Sequence, residues 1–106
     1  MSNILLTRID DRLIHGQVVS QWCKELKPNW ILVVNDAVAG DETQQELMNM
    51  VAPANAVTRY LTVDEAAYTL DKIDDDQKVM ILAAGPEDVL KLVEENIPIK
   101  KVNIGN

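Results

Sequence analysis

The chain has 106 residues, a formal net charge of −7 and an isoelectric point near 4.5, with 47% apolar and 25% charged residues. That is enough chain for one globular domain with a real core and too little for two. Seventeen acids outnumber ten scattered basic residues, and two Trp, two Tyr and no Phe offer no stacking platform, which excludes a nucleic-acid binder.

Apolar runs alternate with amphipathic stretches along the chain. The first run, residues 3–8, gives way to a helical stretch over 15–26 in which Val18, Trp22 and Leu26 form one apolar stripe. That stretch carries Cys23, the single cysteine; it cannot form an internal disulfide and fits a reducing cytoplasm. Strands are predicted at 30–35, 57–62, 78–83 and 101–104. The runs Trp30 to Val34 and Val79 to Ala83 are continuous rather than alternating, the pattern of strands covered on both faces.

The second helix is predicted over 42–51, with Leu47, Met48, Met50 and Val51 as its apolar residues. Thr62-Val63-Asp64-Glu65 reads as a capping box opening the third, and Pro86 with Glu87 and Asp88 opens the fourth. No run reaches the length of a membrane span, and the N-terminus carries no basic-then-apolar signal pattern. The order predicts a three-layer α/β/α open parallel sheet of about five strands and four helices, built with right-handed crossovers. In such sheets ligands bind beyond the carboxyl ends of the strands.

The stretch Arg8-Ile9-Asp10-Asp11-Arg12-Leu13-Ile14-His15-Gly16-Gln17-Val18 lies at that edge and holds the only histidine. A strand entering a helix N-terminus presents free N–H groups and a positive dipole end to an anion. His15 is therefore read as a nucleophile for a phosphoryl group, in preference to a helix-capping histidine, since imidazole is substantially neutral at cytoplasmic pH. Gly16 removes a side chain that would crowd an approaching phosphate. Arg12 supplies forked donors matched to a phosphoryl group. Arg8 either contacts phosphate or only pairs with Asp10 or Asp36. Asp10 either holds one imidazole nitrogen or holds Arg12. Gln17 either orients the site or is an ordinary first-turn residue. Asn35 and Asp36 follow the second strand at the same edge and are expected to support the site.

Other motifs are weaker. No glycine-rich dinucleotide or P-loop pattern follows the first strand. Asp74-Asp75-Asp76 lacks calcium-loop spacing, and one His with one Cys leaves no zinc set, so no metal is expected. A receiver-like domain phosphorylated on aspartate is disfavoured, since the third strand ends at Leu61-Thr62 with no aspartate.

The string from Arg8 to Val18 closely resembles the active-site loop of the B components of sugar phosphotransferase systems of the mannose–fructose–sorbose type. The likeness extends to Val33-Val34-Asn35-Asp36, to the helix with Gln44-Gln45-Glu46-Leu47-Met48, to Gly85-Pro86 and to the closing Val102-Asn103-Ile104-Gly105-Asn106. The glutamine-rich start of the second helix resembles the N-acetylgalactosamine branch. The resemblance implies a sheet order of 3-2-4-1-5 and a phosphocarrier using no metal or organic cofactor. It implies that His15 accepts a phosphoryl group on Nδ1 from the phosphorylated A component and delivers it to sugar bound by the membrane C and D components. Arg12 and the loop backbone would stabilise the phosphate, and Asp10 would support the loop. The setting would be the cytoplasm, with peripheral attachment to the membrane transporter.

Family members continue with further strand and helix units past the segment matching Gly105-Asn106. Residues 1–106 are thus expected to form a single B-type domain, incomplete at the C-terminus, with the fifth strand left as an edge and a tendency to self-associate. The rival expectation is a non-catalytic, truncated relative that acts as a binding or regulatory module.

Overall fold

In a computed structural model, which describes residues 3–15 and 17–105, the strands and helices follow in strict alternation along most of the chain. The strands are β1 (Asn3–Ile9), β2 (Trp30–Val34), β3 (Val57–Leu61), β4 (Lys78–Ala83) and β5 (Val102–Ile104). The helices are α1 (Val18–Leu26), α2 (Asp36–Ala39), α3 (Glu42–Asn49), α4 (Val63–Lys72) and α5 (Pro86–Glu94). All strand pairings are parallel, in the order β3-β2-β4-β1-β5, as the resemblance implied.

The central strands show why their runs are continuous. On β2, Ile31 and Val33 face one side while Leu32 and Val34 face the other, and all four are solvent-inaccessible. On β4, Met80 and Leu82 join the first side, and Val79 and Ile81 the second. The first face is covered by Val19 and Cys23 of α1, Val38 of α2 and Met48 of α3; the second by Ala66 and Leu70 of α4 and Leu92 of α5. Two apolar layers separated by one sheet place every helix over a buried face.

Three expectations need correction. Five helices are found among the described residues rather than four, because Asn35 accepts a hydrogen bond from the Val38 N–H at 3.0 Å and caps a single turn too short to show periodicity. The first helix begins at Val18 rather than at residue 15. Its buried centre is the pair Val19 and Cys23, with Val18, Trp22 and Leu26 flanking it as half-buried residues. A stripe assigned from one row of a helix is easily displaced to the adjacent row, since both rows carry apolar residues here.

The caps of the later helices form as their residues dictate. Thr62 Oγ1 accepts from the Glu65 N–H at 3.1 Å, and Glu65 Oε1 accepts from the Thr62 N–H at 2.9 Å, closing the capping box of α4. Pro86 opens α5. Lys27 in the left-handed region, followed by Pro28, ends α1.

Candidate active site

β1 lies between β4 and β5, so the loop that follows it emerges between two neighbouring strand ends. The Asp10 N–H donates to the Ala83 carbonyl at 2.9 Å, holding the chain against β4 one residue past the strand. The Asp10 carbonyl then accepts the Leu13 N–H at 2.9 Å, which closes a four-residue turn. Within it, Asp10 Oδ1 accepts the Arg12 N–H at 3.1 Å, the side-chain-to-backbone bond for which aspartate is favoured in turns.

Leu13 leaves the turn with a φ of 57°, a left-handed conformation uncommon for a leucine. Its side chain is 1% exposed and that of Ile14 is 4% exposed, both packed into the core face beneath α1. These two residues plug the loop into the core. Two adjacent apolar residues inside a charged loop are the sequence sign of such an anchor, an unassigned role in the motif as read above.

The anchored loop leaves His15 half-buried, at 21% side-chain exposure. Its Nδ1 lies 3.0 Å from the Leu13 carbonyl oxygen. A carbonyl can only accept, so in this geometry Nδ1 carries the hydrogen. Nε2 lies 3.6 Å from Asp10 Oδ2 and makes no hydrogen bond.

Asp10 is the hub of the cluster. It is 1% exposed, and its Oδ1 also accepts from Arg12 Nε at 3.3 Å, while its Oδ2 faces Arg8 Nη2 at 3.5 Å. Burial alone would raise its pKa. The Arg12 N–H, the Arg12 side chain and the charges of His15 and Arg12 outweigh burial and hold the carboxyl below the usual aspartate value. Of the two groups that Asp10 could hold, the imidazole and Arg12, both stand beside it. Arg8 is 12% exposed, and its Nη1 donates to Asn103 Oδ1 on β5.

The remaining residues divide. Gln17 occupies the N-cap of α1 but its side chain makes no capping bond. Gly16 lies outside the described residues. Asn35 Nδ2 donates to Asp88 Oδ2 at 3.1 Å and Asp36 Oδ1 accepts the Val63 N–H at 3.0 Å, so their described contacts tie β2 to α5 and α4 rather than reaching Asp10 or His15. Gly105, which follows the fifth strand at the edge where ligands are expected, and Asn103, which the sequence marks only as part of the closing segment, both stand against Arg8.

The first turn of α1 contains no acid, whereas each of the other four described helices carries at least one Asp or Glu there. The positive end of the α1 dipole therefore meets no acid of its own first turn. The loop thus gathers one imidazole and two guanidinium groups around the buried Asp10 carboxylate.

Residues 4–106 match the family of PTS system sorbose subfamily IIB components, and the chain belongs to that family. It is 42% identical to the N-acetylgalactosamine-specific phosphotransferase enzyme IIB component 2 of Escherichia coli, over all of this chain and 68% of that protein. It is 39% identical to the fructose-specific EIIB component of Bacillus subtilis, over 99% of this chain and 65% of that one. The crystal structure of the N-acetylgalactosamine-specific IIB component 1 of Escherichia coli superposes with a TM-score of 0.90 at 42% identity, covering 98% of this chain and 69% of that one. An N-acetylgalactosamine IIB component from Streptococcus pyogenes gives 0.91 at 39% identity, over the whole of this chain and 65% of the other. The chain spans about two thirds of the length of these relatives. No helix among the described residues is long and apolar enough to cross a membrane.

Proposed function

We propose that this chain carries a phosphoryl group on His15, taking it from a phosphohistidine of the A component and passing it to a sugar during uptake by the membrane C and D components. The observation that carries the reading is the seating of the sole histidine between the Leu13 carbonyl and the Asp10 carboxylate, beside Arg12. In the transfer, a nitrogen–phosphorus bond forms at His15 as the corresponding bond on the donor breaks, and the donor imidazole leaves. Transfer of this kind depends on placement and on charge stabilisation, which the arginines and the α1 N-terminus are disposed to supply.

The family resemblance puts the phosphoryl group on Nδ1. Attack through that atom requires the ring proton to sit on Nε2, from which a small shift of the ring would let it donate a hydrogen bond to Asp10 Oδ2, now 3.6 Å away, and requires release of the Leu13 carbonyl. Asp10 then orients the ring without itself becoming protonated. N-acetylgalactosamine is the first sugar to test, on the strength of the glutamine-rich start of α3 and the relatives named for that sugar.

The test is incubation with the phosphorylated A component. Acid-labile phosphate should appear on His15 and be absent from His15→Ala, with the circular dichroism of the two proteins alike. Phosphate transferred to His15→Ala at more than a trace, or none transferred to the unaltered chain, refutes the reading; the second result would leave a non-catalytic binding module.

A further inference from the structure

We propose that Asn103 and Gly105, some ninety residues from the loop, are positioning residues for the His15 site; this inference rests on the phosphocarrier reading above. The β1–β5 register pairs Arg8 with Asn103, so the two side chains stand next to each other on one face of the sheet. Arg8 Nη1 donates to the Asn103 side-chain oxygen, and Nη2 reaches Asp10 Oδ2 at 3.5 Å. That same carboxylate oxygen faces His15 Nε2 at 3.6 Å. Arg8 and the imidazole thus share one oxygen of Asp10, and Asn103 governs the share.

With Nη1 engaged by Asn103, only one prong of the guanidinium approaches the carboxylate, and at long range. Released from Asn103, a guanidinium this buried turns toward the two-pronged pairing that arginine makes with carboxylates. Oδ2 would then be drawn from the imidazole. An amide is suited to the task, because its oxygen fixes Nη1 without neutralising the positive charge that an incoming phosphoryl group needs.

Gly105 keeps the space in which this arrangement fits. Its N–H donates to the Ile9 carbonyl at 2.7 Å, bringing the backbone of residue 105 alongside the end of β1. A Cβ there would lie 2.6 Å from Arg8 Cζ and 2.6 Å from Asp10 Oδ2. A side chain at 105 would therefore have to displace the Arg8 guanidinium or Asp10 Oδ2, the hub of the site. Neither residue has a described contact with His15, and each acts through Arg8 and Asp10.

The sole histidine makes the test direct. Ring-nitrogen chemical shifts of His15 are measured by NMR at one fixed pH in the 15N-labelled chain and in Asn103→Ala, Asn103→Asp and Gly105→Ala, alongside the rate of phosphoryl acceptance from the phosphorylated A component. Asn103→Ala and Gly105→Ala should move the ring-nitrogen signals and slow acceptance by roughly ten- to a hundred-fold, the scale for displacing a reacting group from its seat. Asn103→Asp keeps an acceptor at the same reach and should restore the signals most of the way. Unmoved ring signals in Asn103→Ala, or ring signals displaced equally in the Ala and Asp variants, overturn the proposal. If Gly105→Ala does not fold, the Asn103 pair decides alone. If the unaltered chain accepts no phosphate, the phosphocarrier reading fails while the ring signals still decide the positioning.

Discussion

Asp10 and Arg12 are joined twice through a single oxygen: Oδ1 accepts both the backbone N–H of Arg12, at 3.1 Å, and its Nε, at 3.3 Å. The first bond shapes the turn and the second aims the guanidinium, so one carboxylate sets both the loop and its cationic arm. Arg12 is nevertheless about half exposed, which keeps its charge accessible to an incoming group.

Arg12→Ala should slow phosphoryl acceptance by roughly two to three orders of magnitude, the scale for losing one preorganised electrostatic donor. Arg12→Lys should recover little, because an ammonium cannot reproduce a donor held through Nε. Single-turnover transfer from the phosphorylated A component measures both, and near-full rate with lysine would show that net charge alone matters. Arg8→Ala should cost less rate than Arg12→Ala; an equal or larger loss reverses that ranking.

Asp10 makes the fold acid-sensitive with a definite sign. Its folded pKa is lowered, so the ionised carboxylate stabilises the folded chain at every pH above the unfolded value. That contribution disappears as pH falls through the folded value. The stability advantage of the unaltered chain over Asp10→Asn should therefore be present at about pH 5 and close as pH falls below about pH 4. A gap that fails to close below about pH 4 would contradict the assignment.

Leu13→Ala should destabilise the chain by about 2–5 kcal/mol, the range for emptying a fully buried leucine site. Denaturant unfolding measures it. Because the anchor holds the turn that seats His15, the same variant should also lose transfer rate under conditions where it remains folded. Full transfer by a destabilised Leu13→Ala would separate the anchor from the site.

β5 is the outer strand among the described residues, and Ile104 on it is 72% exposed and Val102 41% exposed. An apolar outer strand invites edge pairing. The 106-residue chain should sediment as a concentration-dependent mixture, and Ile104→Lys should shift it toward monomer. A monodisperse monomer across the micromolar range would remove this expectation.

The parallel sheet was legible because Trp30 to Val34 and Val79 to Ala83 leave no polar position on which a solvent face could be built. The capping box at Thr62 and the Pro86 start were equally readable, since each is a local signal whose chemistry does not depend on the rest of the fold. The one-turn helix α2 was not, because four residues carry no period. In the site, His15, Arg8, Asp10 and Arg12 lie within eight residues of one another and could be grouped by inspection. Gly105 could be placed at the same sheet edge because it follows the fifth strand, but Asn103 could not be set against Arg8 from spacing, because the two meet only through the β1–β5 register.

That long-range pairing sets a timetable for the chain's birth. Every strand pairing here is parallel and therefore non-local, a topology that folds slowly compared with one built on hairpins. The ribosome releases Arg8 through His15 early, yet the amide that restrains Arg8 arrives only with Asn103. A nascent chain can expose its histidine long before the surrounding charges are in order. Assembly of the charge cluster around Asp10 is thereby tied to synthesis of the strand that frames it.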